Sequence, residues 1–165
     1  MDKATFRNTA LQLVHSGHAI VPLHGVVEPG RCACGKTDPA HKCGKHPSIS
    51  DFFNAPLRTP KDVEKFLAGE WPCRSKNNGS YTAQPTRDLN MAVITGDGFI
   101  VLDVDVKHAA EEGESRDGLR QLADLEREHG PLPREAAVQS GSGGRHVDLS
   151  IPKGLSLKSG QLAGL

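Results

Sequence analysis

Residues 90–106, NMAVITGDGFIVLDVDV, constrain the fold of this chain more than any other stretch. They read as two apolar strands joined in a hairpin by Gly96-Asp97-Gly98, with Asp103 and Asp105 closing the second strand. Side chains at i and i+2 of a strand share a face. Phe99, Val101, Asp103 and Asp105 therefore fall on one side, and Ile100, Leu102, Val104 and Val106 on the other. Two carboxylates held on one face repel, and a cation compensates them. A divalent metal is the first candidate. The competing reading is a solvated strand end whose aspartates keep an edge soluble.

The rest of the chain reads around that stretch as a mixed α/β pattern. A helix is expected over residues 4–16, with Phe6, Ala10, Leu13 and Val14 at helical spacing and Gly17 as its stop. A strand over 18–23 follows, in which Pro22 marks an edge or strand end. Thr59-Pro60 reads as a cap and first position of a helix carrying Val63, Phe66 and Leu67. Residues 71–88 are polar and turn-rich, a surface loop that leaves Cys73 a free thiol, and 107–115 form a charged loop. Asp117 caps a helix whose face is Leu119, Leu122, Ala123 and Leu125, ended by Gly130-Pro131. Strands at 136–139 and 145–151 flank a glycine loop, and 152–165 show no clear element. From residue 99 onward, strand, helix, strand, strand predict a small sheet backed by a helix.

At 165 residues the chain is expected to be one domain, 1–165, with a core that needs no covalent staples. Its 20 basic residues balance its 20 acidic ones, so global charge points to neither nucleic acid nor membrane, although local patches can. The beginning lacks a basic segment followed by an apolar run, and no stretch reaches a membrane span. The expected location is cytoplasmic, where the four cysteines are metal ligands or spectators rather than disulfide partners.

Two further segments carry chemistry. Ser140-Gly141-Ser142-Gly143-Gly144-Arg145-His146 offers backbone amides that an anion can approach, with Arg145 and His146 as side-chain donors. Alternation puts Arg145, Val147 and Leu149 on one face of the following strand and His146, Asp148 and Ser150 on the other. An ordinary hairpin loop is the plainer explanation of those glycines. Beside the aspartates, the loop supplies what a nucleotide site needs: carboxylates for metal and donors for phosphates.

The other segment, about residues 31–47, holds Cys32, Cys34, Cys43, His41 and His46. Three cysteines and two histidines in a stretch without periodicity predict a zinc knuckle. Cys32, Cys34 and Cys43 would be joined by His46, with His41 as the alternative; the spacing does not decide between them. Free thiols in a loop are the competing reading. Arg31, Lys36, Lys42 and Lys45 crowd the same segment against one acid, Asp38, a patch suited to a phosphate backbone. His15, His18, His24, His108 and His129 read as isolated surface or satisfied histidines.

GHAIVPL, GKHP, NMAVITG, VLDVDV and SGSGGRH, in this order, resemble the bifunctional DNA primase/polymerase N-terminal domain. That family belongs to the archaeo-eukaryotic primase superfamily and is common in plasmid, phage and prophage replication proteins. The resemblance spans about residues 4–152, and the cysteine-rich insert looks like one that some members carry. It implies a primase-like fold with an RRM-like catalytic sheet. It also implies a template-dependent nucleotidyltransferase acting with single-stranded DNA and nucleoside or deoxynucleoside triphosphates, in company with a helicase domain or protein. Asp103 and Asp105 would hold two Mg²⁺ or Mn²⁺ ions, and His146 would contact the incoming triphosphate. Ser142, Gly143, Gly144, Arg145 and Lys45 are the further nucleotide-binding candidates, Arg145 on chemical grounds rather than from the family pattern.

Two features depart from that pattern. The family places a third carboxylate on a strand soon after the glycine-loop strand. Asp148 lies too close to His146 for that role, and the chain reaches Leu165 about where the residue is due. The expectation is therefore a domain truncated at its C-terminus, or one with weakened activity. A tryptophan expected after GKHP is replaced by the region of Asp51-Phe52-Phe53. Two alternatives stand beside the polymerase reading: a non-catalytic zinc-stabilised nucleic-acid-binding module, and a metal-dependent phosphohydrolase with the same ligand logic.

Overall fold

The computed structural model describes residues 1–36, 41–74, 80–96, 98–106, 118–133, 137–140, 143–152, 154–155 and 160. They contain three α-helices and several small antiparallel sheets, the mixed α/β class the sequence predicts. The chain divides into two compact units, Met1–Ile94 and Thr95–Leu165. Among the described residues no helix is long and apolar enough to cross a membrane.

The first unit is built on two amphipathic helices. In α1 (Lys3–His15) the Asp2 carboxylate accepts the Thr5 N–H, and Phe6, Ala10 and Val14 are buried. Gly17, at φ 86°, takes the left-handed turn that stops the helix. In α2 (Pro60–Leu67) Thr59 and Asp62 form a reciprocal capping box, with Pro60 at the first position. The rings of Phe6 and Phe66 meet at 5.7 Å. They join a core that includes Ile20, Leu57, Val63, Trp71 and Leu89.

β1 (Ile20–His24) runs through this core and pairs antiparallel with β6 (Leu89–Val93), Ile20 opposite Val93 and His24 opposite Leu89. Pro22 sits in mid-strand and is fully buried, not at an end. Its carbonyl accepts the Ser48 N–H on the side away from β6, where isolated bridges to Leu57 and Pro47 replace a full ladder. The missing proline N–H therefore costs no bond to β6. β2 (Val26–Glu28) and β3 (Arg31–Cys32) make a short hairpin leading into the cysteine segment.

Two expectations are corrected here. The stretch 90–106 is not a hairpin: β6 pairs with β1 inside the first unit, while β7 (Phe99–Val104) pairs with β9 (Arg145–Ser150) inside the second. Gly96 and Phe99 form only a tight local turn between the two. Each strand finds a longer ladder elsewhere, and strand pairing over the whole ladder outweighs proximity in sequence. The expected loop 71–88 contains a second hairpin, β4 (Trp71–Arg74) with β5 (Ser80–Ala83). Trp71, Cys73 and Ala83 are buried while Pro72, Tyr81 and Thr82 are exposed. Averaged polarity hides a strand when only every second residue faces the core.

The second unit holds a three-stranded antiparallel sheet in the order β7-β9-β8, with β8 Ala137–Gln139 and β9 Arg145–Ser150. One helix, α3 (Gly118–His129), accompanies it. Val104, Val147 and Leu122 are its buried apolar side chains among the described residues. Of the expected helical face, Leu122 is buried, Leu119 and Leu125 are half-buried, and Ala123 is exposed. Gly130 at φ 96° ends the helix. The expected cap Asp117, the charged loop 107–115 and most of 156–165 lie outside the described residues.

Candidate functional site

In the second unit, antiparallel register sets Asp103 of β7 directly opposite His146 of β9. Opposed residues share a face, and the side chains meet, His146 Nε2 lying 3.1 Å from Asp103 Oδ1. The Asp103 side chain is 62% exposed and that of His146 48%, so both remain within reach of a solute. Asp105 is exposed one residue beyond the last residue of β7. Val104 between them points inward and is buried. The apolar residues that anchor this strand thus fix which way its carboxylates face.

Two glycines clasp the end of the strand. A Cβ on Gly144 would lie 2.4 Å from the Val104 carbonyl oxygen, and one on Gly118 would lie 2.4 Å from the Asp105 carbonyl oxygen. The Gly118 N–H donates to that Asp105 carbonyl at 3.1 Å. The first turn of α3 and the glycine loop therefore both close on the backbone carrying the acids, at distances only glycine allows. Gly143, at φ 88°, has nothing within 4 Å of a Cβ among the described residues. Gly144 is thus needed for packing, while Gly143 is the more open backbone position.

Arg145 pairs with Val104 and Gln139, which puts it on the sheet face opposite Asp103 and His146. Together with Gly143, Gly144, Leu119, Ala137 and Gln139 it lines a groove of ≈ 460 Å³. The expected nucleotide-binding residues are therefore split, His146 on one face and Arg145 on the other. Ser142 lies outside the described residues.

The first unit gathers the cysteine segment. Ligand atoms of Cys32, Cys34 and His41 lie within 4.8 Å of one another, the only such group of three or more His, Cys or acidic side chains among the described residues. His41 Nε2 is 3.2 Å from Cys34 Sγ. Burial opposes ionisation of Cys32, but hydrogen bonds from the Cys34 and Gly44 amides and from His41 bring its thiol down to about 7. Burial raises Cys34, the Lys36 amide offsetting this in part and the Cys32 sulfur adding to it. One thiolate is therefore accessible near neutral pH, the form that binds soft metals. A Cys/His group able to hold a metal ion is present.

Cys43 and His46 stand outside that group. Cys43 Sγ donates to the Gly30 carbonyl at 3.1 Å. The His46 ring stacks on His24 at 5.3 Å and meets His41 edge-on at 5.1 Å. The Nδ1 atoms of His24 and His46 are both buried without a hydrogen-bond partner among the described residues. Burial holds both histidines below the usual imidazole value, with neighbouring charge adding to the effect. His24, read from sequence as isolated, is thus part of this corner. The signal available was its place at the end of an apolar strand, but its partner lies 22 positions away along the chain. Lys36, Lys42 and Lys45 are exposed and belong to no ion pair among the described residues.

A family model described as bifunctional DNA primase/polymerase, N-terminal (Prim-Pol), matches residues 10–165. No curated protein and no solved structure matches the chain significantly.

Proposed function

Since the chain belongs to the bifunctional DNA primase/polymerase N-terminal family, we propose that it is a template-dependent nucleotidyltransferase whose acidic centre is Asp103 and Asp105. The observation that carries this is the cross-strand contact of Asp103 with His146 on an exposed sheet face. The donor set fits Mg²⁺ or Mn²⁺, because both ions prefer carboxylate oxygen and keep several waters, which exposed aspartates permit. Bound there, divalent ions supply Lewis-acid activation of an attacking 3′ hydroxyl and neutralise charge on the departing pyrophosphate.

The chain's own residues supply position. Asp103 and Asp105 bracket Val104, whose burial fixes the strand, while Gly118 and Gly144 close on the adjoining carbonyls. His146 is held by Asp103 with its ring exposed, where it donates to a triphosphate oxygen. Arg145 and the ≈ 460 Å³ groove are left for a separate contact with substrate or template.

The first unit supports a second role in the same reading. Cys32, Cys34 and His41 hold Zn²⁺, and Lys36, Lys42 and Lys45 on that segment meet the phosphates of single-stranded DNA. The test is incorporation of dNTPs and NTPs on a single-stranded template with Mg²⁺ or Mn²⁺. Loss of incorporation in Asp103→Ala/Asp105→Ala is expected, and equal activity would remove the acids from the mechanism. The non-catalytic alternative predicts salt-dependent DNA binding that survives those changes and disappears on chelation.

A further inference from the structure

We infer that the fourth ligand of the thiol-cluster metal is His46, through Nδ1, and not Cys43. This rests on the zinc reading above and adds to it the completion of the site and what the ion joins together.

Structural zinc is four-coordinate and tetrahedral, so the gathered Cys32, Cys34 and His41 leave one position to fill. Zn–S near 2.3 Å and Zn–N near 2.0 Å at tetrahedral angles put a sulfur and a nitrogen ligand about 3.5 Å apart. Cys34 Sγ and His41 Nε2 are 3.2 Å apart, close to that spacing. The same bond lengths put the ring centres of two imidazoles on one ion about 5 Å apart. The rings of His41 and His46 are 5.1 Å apart, edge to face.

The hydrogen-bond accounts of the two candidates differ. Cys43 already donates its thiol proton to the Gly30 carbonyl at 3.1 Å. His46 Nδ1 is buried with no partner among the described residues. An unsatisfied buried acceptor or donor costs about 1–3 kcal/mol, a cost that ligation removes. His24, stacked on His46 at 5.3 Å and 20°, backs the ring and limits its rotation, its own Nδ1 having no partner among the described residues. Ligation through His46 requires its nitrogen to close on the group of three, which it lies outside.

The consequence is mechanical. The His46 carbonyl accepts the His24 N–H at 2.9 Å, and Pro47 bridges to Leu23. A metal on Cys32, Cys34, His41 and His46 therefore clips the cysteine segment to the end of β1, and holds Lys45 beside a ligand. With Cys43 as ligand the ion itself would not be tied to the residue that pairs with His24.

The experiment loads the full chain with Zn²⁺ and separately with Co²⁺, measuring stoichiometry, affinity by competition with a chelator, and the sulfur-to-cobalt charge-transfer absorption. Wild type is expected to bind one ion with the intensity of two thiolates. Cys43→Ser should leave affinity and charge transfer unchanged, and His46→Ala should weaken binding at least about tenfold. His46→Cys should restore binding and raise the charge-transfer intensity by about half, as a third thiolate joins the ion. A one-third loss of charge transfer in Cys43→Ser, or unaltered affinity in His46→Ala, overturns the inference while leaving the zinc reading intact. Failure of wild type to bind either ion overturns both. If His46→Ala does not fold, the Cys43→Ser arm decides alone.

Discussion

The two units use their apolar residues differently. The first closes a continuous core from Phe6 to Leu89, joining both helices to β1, β4 and β6. The second buries only Val104, Leu122 and Val147 among the described residues, and leaves the other face of its sheet to Asp103, His146 and Asp148. On the reading proposed above these carboxylates need water, metal and substrate within reach, which an unpacked sheet face allows. The cysteine segment shows the complementary case. It is attached to a well-packed unit but contributes few apolar side chains, and on the zinc reading proposed above ligation would give it the order that packing does not.

Replacing Phe66 by Ala should break the first unit by about 3–5 kcal/mol, the usual cost of an aromatic truncation in a closed core. Val147→Ala in the second unit should cost only about 1–3 kcal/mol, for fewer buried atoms with fewer neighbours. Urea unfolding of both variants measures this, and equal losses would show the two cores to be of similar weight.

The acids should show the opposite balance of activity and stability. Asp103→Asn and Asp105→Asn are expected to lower nucleotide incorporation by ~10²-fold or more, because metals and substrate lose their alignment. Both side chains are exposed, so stability should stay within about ±0.5 kcal/mol of wild type. A large drop in melting temperature would mean that these aspartates serve the fold.

Gly144→Ala tests the clasp. With its Cβ 2.4 Å from the Val104 carbonyl it should cost about 1–3 kcal/mol and reduce incorporation along with stability. Gly143→Ala meets no neighbouring atom, and only its left-handed backbone is strained, at about 1–2 kcal/mol. If the two variants behave alike, the glycine loop acts through flexibility and not through the close approach at Val104.

Acidification should have the smallest effect, and it is read in the first unit. Burial lowers His24 and His46 below 6.5 in the folded chain. As pH falls through 6.5 the unfolded chain takes up protons that the folded one refuses, so stability is lost toward acid and regained above that value. Metal held at Cys32, whose thiol titrates near 7, should be lost over the same descent because protons compete for the sulfur. Thermal melts at pH 7.5 and 5.5, with and without Zn²⁺, check both. Melting that is independent of pH would mean that neither histidine is shielded from protons.

Much of this was readable from residue pattern. Helical spacing at Phe6, Ala10 and Val14 and the Thr59-Pro60 start both describe elements that formed as expected. Alternation along β7 and β9 put Asp103 and His146 on the faces where they meet. What pattern could not show was partnership at a distance. The pairing of β6 with β1 spans most of the first unit, and the local turn at Gly96 gave a nearer but wrong partner. Trp71 and Cys73 are separated by Pro72 and followed by a polar stretch, so their strand looked like loop. Gly118 and Gly144 are glycines because of carbonyls brought to them by the fold, and His24 matters because His46 stacks on it.

The most direct test of the acidic centre is Mn²⁺ binding to the whole chain, followed by the loss of the free-ion signal in electron paramagnetic resonance, with and without dATP. Wild type should bind Mn²⁺ at the second unit and bind it more tightly when the triphosphate is present. Asp103→Asn/Asp105→Asn should lose that binding while Zn²⁺ remains on the cysteine cluster. Mn²⁺ binding that is unchanged in the double variant, or absent from wild type, would contradict the assignment.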